Sequence, residues 1–261
     1  MRVALAVFIA ALASLGGRPE YRGADTVALP AGSYVPFYVR ESAKPGRPPK
    51  PVSRSVAIRA FRLDRFPVTN AQFLAFVRGH PEWRRSQVKA VFADAHYLAH
   101  WQGDLALRNA AYGERPVTNV SWFAAAAYCR ASHEMLPTTD QWEYALANRG
   151  ADTVAIRRRI LLWYSSPANR ELPPVRSADV NAYGVRGLVG LVWEWTLDFN
   201  SMMSGPDLRG AQAGAQFCGG SSLGATDPAD YAAFMRYAMR QSLKASYTVS
   251  NLGFRCAQDM P

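Results

Sequence analysis

Apolar and polar positions change their period along this chain, and the changes mark its elements. From Val56 the residues alternate. Val56, Ile58 and Ala60 fall on one side and Ala57, Arg59 and Phe61 on the other, which predicts a strand. The earlier run "TVALPAGSYVPFYV" (residues 26–39) mixes apolar and small residues around a Pro-Ala-Gly turn and predicts the first strand. At residue 69 the period lengthens. Thr69 with Gln72 three residues later is a capping-box pattern, and Phe73, Phe76 and Val77 recur on one helical face. Ser121 opens a second predicted helix, the Ala-rich "WFAAAAYCRAS". Thr138 with Gln141 opens a third, whose buried side is Trp142, Tyr144, Ala145 and Leu146.

After residue 150 the helical period fades. "GLVGLVWEWT", "QFCGGSS" and "NLGFRC" read as short strands among long ordered loops. "RESAKPGRPPKPVSR" (residues 40–54) holds four prolines and no large apolar residue, and reads as a loop inserted between two strands. There is no internal repeat. The predicted class is α+β, with few helices, short strands and much ordered loop, in one domain over residues 24–261.

Composition supports a packed core: 49% of residues are hydrophobic and 19% charged, which excludes wholesale disorder. The formal net charge is +10, but the basic residues are scattered, except for Arg157-Arg158-Arg159 near Arg149. Two readings stay open, a solvated basic surface or attraction to an acidic partner or anionic membrane surface. No nucleic-acid-binding signature accompanies the charge.

Residues 1–17, "MRVALAVFIAALASLGG", read as an export signal cleaved near Ala13 to Gly17, with an uncleaved anchor as the alternative: Arg2, an apolar run and then small residues. The run is too short to span a bilayer comfortably, and no other segment reads as a span. The expected location is periplasmic or secreted. In an oxidising compartment three cysteines (Cys129, Cys218 and Cys256) give one bridge plus one free thiol, with buried reduced cysteines as the alternative.

Four segments together resemble the formylglycine-generating enzyme family, also called sulfatase-modifying factors. They are "FRLDRFPVTNAQFLAFV", "RPVTNVSWFAAAAYCRASHEMLPTTDQWEYALA", "NAYGVRGLVGLVWEWT", and the pair "CGGSS" and "SNLGFRCA". They occur in family order from about residue 26 to residue 258. The resemblance implies a variant C-type-lectin-like fold and a disulfide between Cys129 and Cys256. It also implies copper(I) held by two cysteines, which would fall near Gly224 and Ala232 here. No Cys lies between Ser221 and Arg255, so copper is not expected. The family's calcium ligand, an Asn, is Leu191 here, and the acidic loop between Asn169 and Asn181 is shortened, so calcium is placed in doubt.

What remains for a ligand groove is Cys218, Ser221, Ser222, Arg236, Tyr237, Arg240, Ser242 and Trp195. His96 and His100, four apart in "DAHYLAHW", would share a face and chelate a metal if that segment were helical, or form a polar surface pair. Glu194 between two tryptophans needs a cationic partner, for which Arg255 and Arg240 are the candidates. The functional expectation is an accessory or maturation factor that binds a protein or peptide, a periplasmic redox enzyme among the candidates. Residues 231–256 and the 83–104 segment are similar to accessory proteins found beside bacterial copper nitrite reductases. One alternative is an oxidoreductase or tailoring enzyme working in the same groove without the copper pair, like the periplasmic family member that helps mature pyoverdine. The other is a non-catalytic lectin-like module.

Overall fold

The computed structural model describes residues 25–36, 55–150, 153–165, 171–199 and 243–261. Three antiparallel strands form its main sheet in the order β1 (Thr26–Leu29), β4 (Phe61–Asp64), β7 (Ala257–Asp259). Phe61 lies opposite both Leu29 and Asp259, and Leu63 opposite Val27 and Ala257. A two-stranded ribbon pairs β2 (Gly32–Tyr34) with β3 (Val56–Ile58). The turn at Pro30-Ala31 therefore divides the first predicted strand into β1 and β2. The alternation from Val56 also changes parity. Val56 and Ile58 turn inward in the ribbon, whereas Phe61 and Leu63 are buried in the sheet. The chain changes sheet at Arg59-Ala60, so one continuous period cannot serve both.

The three predicted helix starts are present. In α1 (Asn70–Gly79) the Gln72 amide donates to Thr69 Oγ1 at 3.2 Å, and the Thr69 amide donates to Gln72 Oε1 at 2.8 Å. His80-Pro81 ends α1, because proline has no amide to continue it. In α2 (Trp122–Ala131) Ser121 Oγ accepts from the Ala124 amide at 3.2 Å. In α3 (Thr139–Leu146) Thr138 and Gln141 repeat the reciprocal pair at 2.9 and 3.1 Å. Each cap satisfies amides that the helix itself leaves unpaired, which contributes roughly 1 kcal/mol. A fourth helix, α4 (Thr153–Tyr164), lies where the helical period had faded.

The core has two main parts. One joins α1, α2 and the C-terminal segment through Phe73, Phe76, Tyr128 and Phe254; the Phe73 ring stacks on Tyr128 at 5.9 Å and meets Phe254 edge-on at 6.0 Å. The other packs the main sheet against α3 through Leu29, Phe61, Leu63 and Trp142. Asn70, fully buried, binds the intervening segment to α1. Its Nδ2 donates to the Pro116 carbonyl at 3.1 Å, and its Oδ1 accepts from Trp101 Nε1 at 2.9 Å. Two short parallel strands, β5 (Trp193–Glu194) and β6 (Leu252–Gly253), complete the described sheets. Gly253 is required there, since a Cβ would lie 2.6 Å from the Val117 carbonyl oxygen. Among the described residues no helix is long and apolar enough to cross a membrane.

Candidate functional site

The closing segment from Leu252 to Asp259 organises the chemistry that the structure describes. Cys256, just before β7, is disulfide-bonded to Cys129 near the end of α2, with Cα atoms 5.5 Å apart. Both residues are fully buried. The bridge closes a separation of 127 residues, which contributes roughly 3–5 kcal/mol in the chain-entropy description. With only three cysteines in the chain, Cys218 is the one thiol left outside this bridge.

Beside the disulfide, Arg255 is 0% exposed and is the partner of Glu194. Arg255 Nε donates to Glu194 Oε2 and Nη2 to Glu194 Oε1, both at 2.7 Å. Nη1 donates to the carbonyls of Asp64 and Arg65 at 3.0 and 3.3 Å, and Nη2 also donates to the Arg186 carbonyl at 2.8 Å. All five guanidinium protons therefore have acceptors. Trp142 Nε1 donates to Glu194 Oε2 at 2.7 Å. The pair ties β5, the closing segment, α3 and β4 to one buried point. It organises the frame, and the Glu194 side chain itself is fully buried.

Asp64 stands on the other side of the same segment. Its Oδ2 accepts from the Cys256 amide at 2.8 Å, whereas Oδ1, also buried, has no hydrogen-bond partner. Its carboxyl is held well above the ordinary carboxylate range by burial first and by the neighbouring Glu134 second. Glu134 is itself raised by burial. Asp64, Glu134 and Cys256 place potential ligand atoms within 4.8 Å of one another, but the Cys256 sulfur is already bonded to Cys129. Sequence reading did not find this carboxyl pair. Only the unusual burial of an Asp at the end of β4 signals it, and burial is a property of the fold.

The groove residues Cys218, Ser221, Ser222, Arg236, Tyr237, Arg240 and Ser242 lie outside the described residues. Trp195 does not line an open groove. It is 1% exposed, its Nε1 donates to the Val120 carbonyl at 2.9 Å, and its ring meets Phe199 edge-on at 5.0 Å. A large ring beside the buried Glu194 is needed as packing.

His96 and His100 do not share a helical face. Their segment is a series of turns, and Leu98 between them takes a positive φ of 47° to donate its amide to the Asn119 carbonyl. His96 is exposed. His100 packs against Tyr112 with ring centroids 5.7 Å apart. Burial, then Arg108, lowers the His100 imidazole to about 4, with the Asn119 side chain opposing the shift. Neither histidine joins a group of three metal-ligating side chains among the described residues.

Calcium does not fit the residues at the position where the resemblance implies it. Leu191 is 3% exposed and packs with Phe66 and Val175 in a small apolar cluster. A hard cation needs oxygen ligands, and this cluster supplies none. In the neighbouring loop, Glu171 pairs with Arg115 and Asp179 with Arg159, while Asn181 Oδ1 accepts the amides of Tyr183 and Val185. These oxygens serve arginines and a turn, and do not converge.

A family model described as "Sulfatase-modifying factor enzyme 1-like domain" matches residues 13–260. A formylglycine-generating enzyme of Streptomyces coelicolor is 32% identical, over 89% of this chain and 88% of that protein. The protein named inactive C-alpha-formylglycine-generating enzyme 2 of Mus musculus is 28% identical, over 88% of this chain and 84% of its own length. The solved structure of PvdO from Pseudomonas aeruginosa shares the fold, with a TM-score of 0.52 at 14% identity over 91% of this chain and 95% of that one.

Proposed function

The chain belongs to the sulfatase-modifying factor family, and from that premise we propose that it is an exported accessory or maturation factor rather than a copper-dependent oxidase. One observation carries the reading. The chain has three cysteines and Cys129 and Cys256 are joined, so only Cys218 is left to ligate a soft ion. A two-thiolate copper(I) site requires two, and the chain cannot provide them alone. The frame that would present a surface is meanwhile retained: the disulfide, the Arg255–Glu194 pair and the three capped helices. One relative carries the word "inactive" in its name, so loss of the reaction within this family has a precedent. In this reading the polar and aromatic side chains of residues 218–242, Arg236 and Arg240 foremost, bind a protein or peptide partner outside the cytoplasm.

The test has two parts. Purified chain loaded with copper(I) and given a cysteine-containing sulfatase-type peptide is expected to yield no aldehyde by mass spectrometry. Partner complexes isolated from the periplasm are expected to be lost on Arg236→Ala with Arg240→Ala. Peptide oxidation abolished by Cys218→Ser would overturn the proposal. Turnover without copper would replace it with the tailoring-enzyme reading.

A further inference from the structure

The basic run on α4 borders a cleft that the proposed accessory role does not use. Its volume is ≈ 380 Å³, within the range of small-molecule sites. Leu162 and Trp163 of α4 line it together with Val189 and Leu191. Trp163 is held in place by stacking on Trp193, with ring centroids 4.2 Å apart and planes at 28°. Gly190 keeps the floor open: its φ is +93° and a Cβ there would have no atom within 4 Å. A second recess of ≈ 50 Å³ shares Arg159, Asp179 and Val189 with the cleft.

The polar groups at its edge are asymmetric. Arg159 donates to Asp179 at 2.6 Å, with the two side chains 50% and 76% exposed. An ion pair this wet holds its partners weakly. A ligand carboxylate would exchange for Asp179 at little cost. Arg158 is exposed beside it and keeps the local field positive. Apolar side chains lining a cleft beside a guanidinium whose counter-ion is easily displaced select one chemistry.

The geometry points to a binding site for a small apolar carboxylate. The acid group pairs with Arg159, and the hydrocarbon or aromatic part lies between Leu162, Trp163 and Val189. Charge-assisted pairing to a planar guanidinium supplies the orientation, and the walls supply the burial.

Calorimetric titration of the full chain with 4-phenylbutyrate tests this, with 4-phenylbutylamine and 4-phenylbutanol as cationic and neutral probes of matched size. Saturable binding is expected for the acid, with the amine and alcohol at least tenfold weaker. Arg159→Gln should weaken the acid at least tenfold. Asp179→Asn should strengthen it, because the competing carboxylate is gone. Both substitutions fall on an exposed pair, so unchanged thermal unfolding will confirm that the fold is intact. Equal binding of the amine, an acid affinity unaffected by Arg159→Gln, or no saturable binding of any probe would overturn the assignment. Each of these results leaves the accessory role untouched.

Discussion

Arg255 and His100 are both basic side chains withdrawn from water, and the protein accommodates them in opposite ways. Arg255 keeps its charge. It is fully buried, but Glu194 neutralises it and every proton finds an oxygen. His100 gives up its charge. Both ring nitrogens are buried, Arg108 and Arg85 stand nearby, and the imidazole is neutral above about pH 4. A guanidinium cannot be neutralised by losing a proton, so its surroundings must be built to receive it. An imidazole can, so its surroundings need only exclude water. The first solution draws on four separate segments of the chain. The second is largely confined to the segment between α1 and α2.

The comparison predicts where the molecule is fragile. The largest effect should follow Glu194→Ala, which strands a buried guanidinium. A loss of roughly 3–5 kcal/mol is expected from urea unfolding. Replacing both partners, Arg255→Met with Glu194→Leu, should recover much of it. If the double variant is no better than the single, the cost lies in packing rather than in uncompensated charge. Removal of the disulfide by Cys129→Ala with Cys256→Ala comes next, at roughly 2–5 kcal/mol. Alkylation of the denatured wild-type chain should accordingly titrate one thiol, and three would contradict the bridge.

The third effect separates the two regions by sign. His100 ordinarily titrates near 6.5 and is lowered to about 4 in the fold, so its contribution is complete above 6.5 and is lost as pH falls between those values. Asp64 and Glu134 are raised from ordinary values of 3.8 and 4.5, so they hold a proton better folded than unfolded. Their contribution is complete below that range and is lost as pH rises through the raised folded values. The urea midpoint measured across pH should lose its acid-side decline in His100→Gln. It should lose part of the decline towards neutral pH in Asp64→Asn. Unchanged slopes in either variant would remove that group from the account. The smallest effect belongs to the exposed pair: Arg159→Gln should change stability by less than about 1 kcal/mol.

The legibility of these features in the sequence follows the same division between local and distant causes. The capping boxes at Thr69 and Thr138 are complete within four residues, so pattern reading finds them. The chain's change of sheet at Arg59-Ala60 is not local, because it depends on β7 arriving beside β4. The segment "DAHYLAHW" has helical spacing, but Leu98 is drawn to Asn119 and Asp94 to Ser246, and those contacts break it into turns. Glu194 called for an arginine, yet the choice between Arg255 and Arg240 needed three dimensions. Trp195 was legible as large and aromatic, not as buried. The basic run at Arg157–Arg159 was visible, but the cleft beneath it was not, since its walls come from three separate stretches.

Arg255 also sets a clock on the making of this protein. Its donors reach the carbonyl of Asp64, 191 residues earlier, and its neighbour Cys256 pairs with a thiol 127 residues earlier. Until residue 255 has left the ribosome, and the export channel in the proposed location, Glu194 has no counter-ion and the main sheet lacks an edge. The nascent domain must wait with a buried-to-be carboxylate and an open strand in water. That interval, rather than the stability of the finished fold, is when the chain is most exposed to proteases and to chaperones.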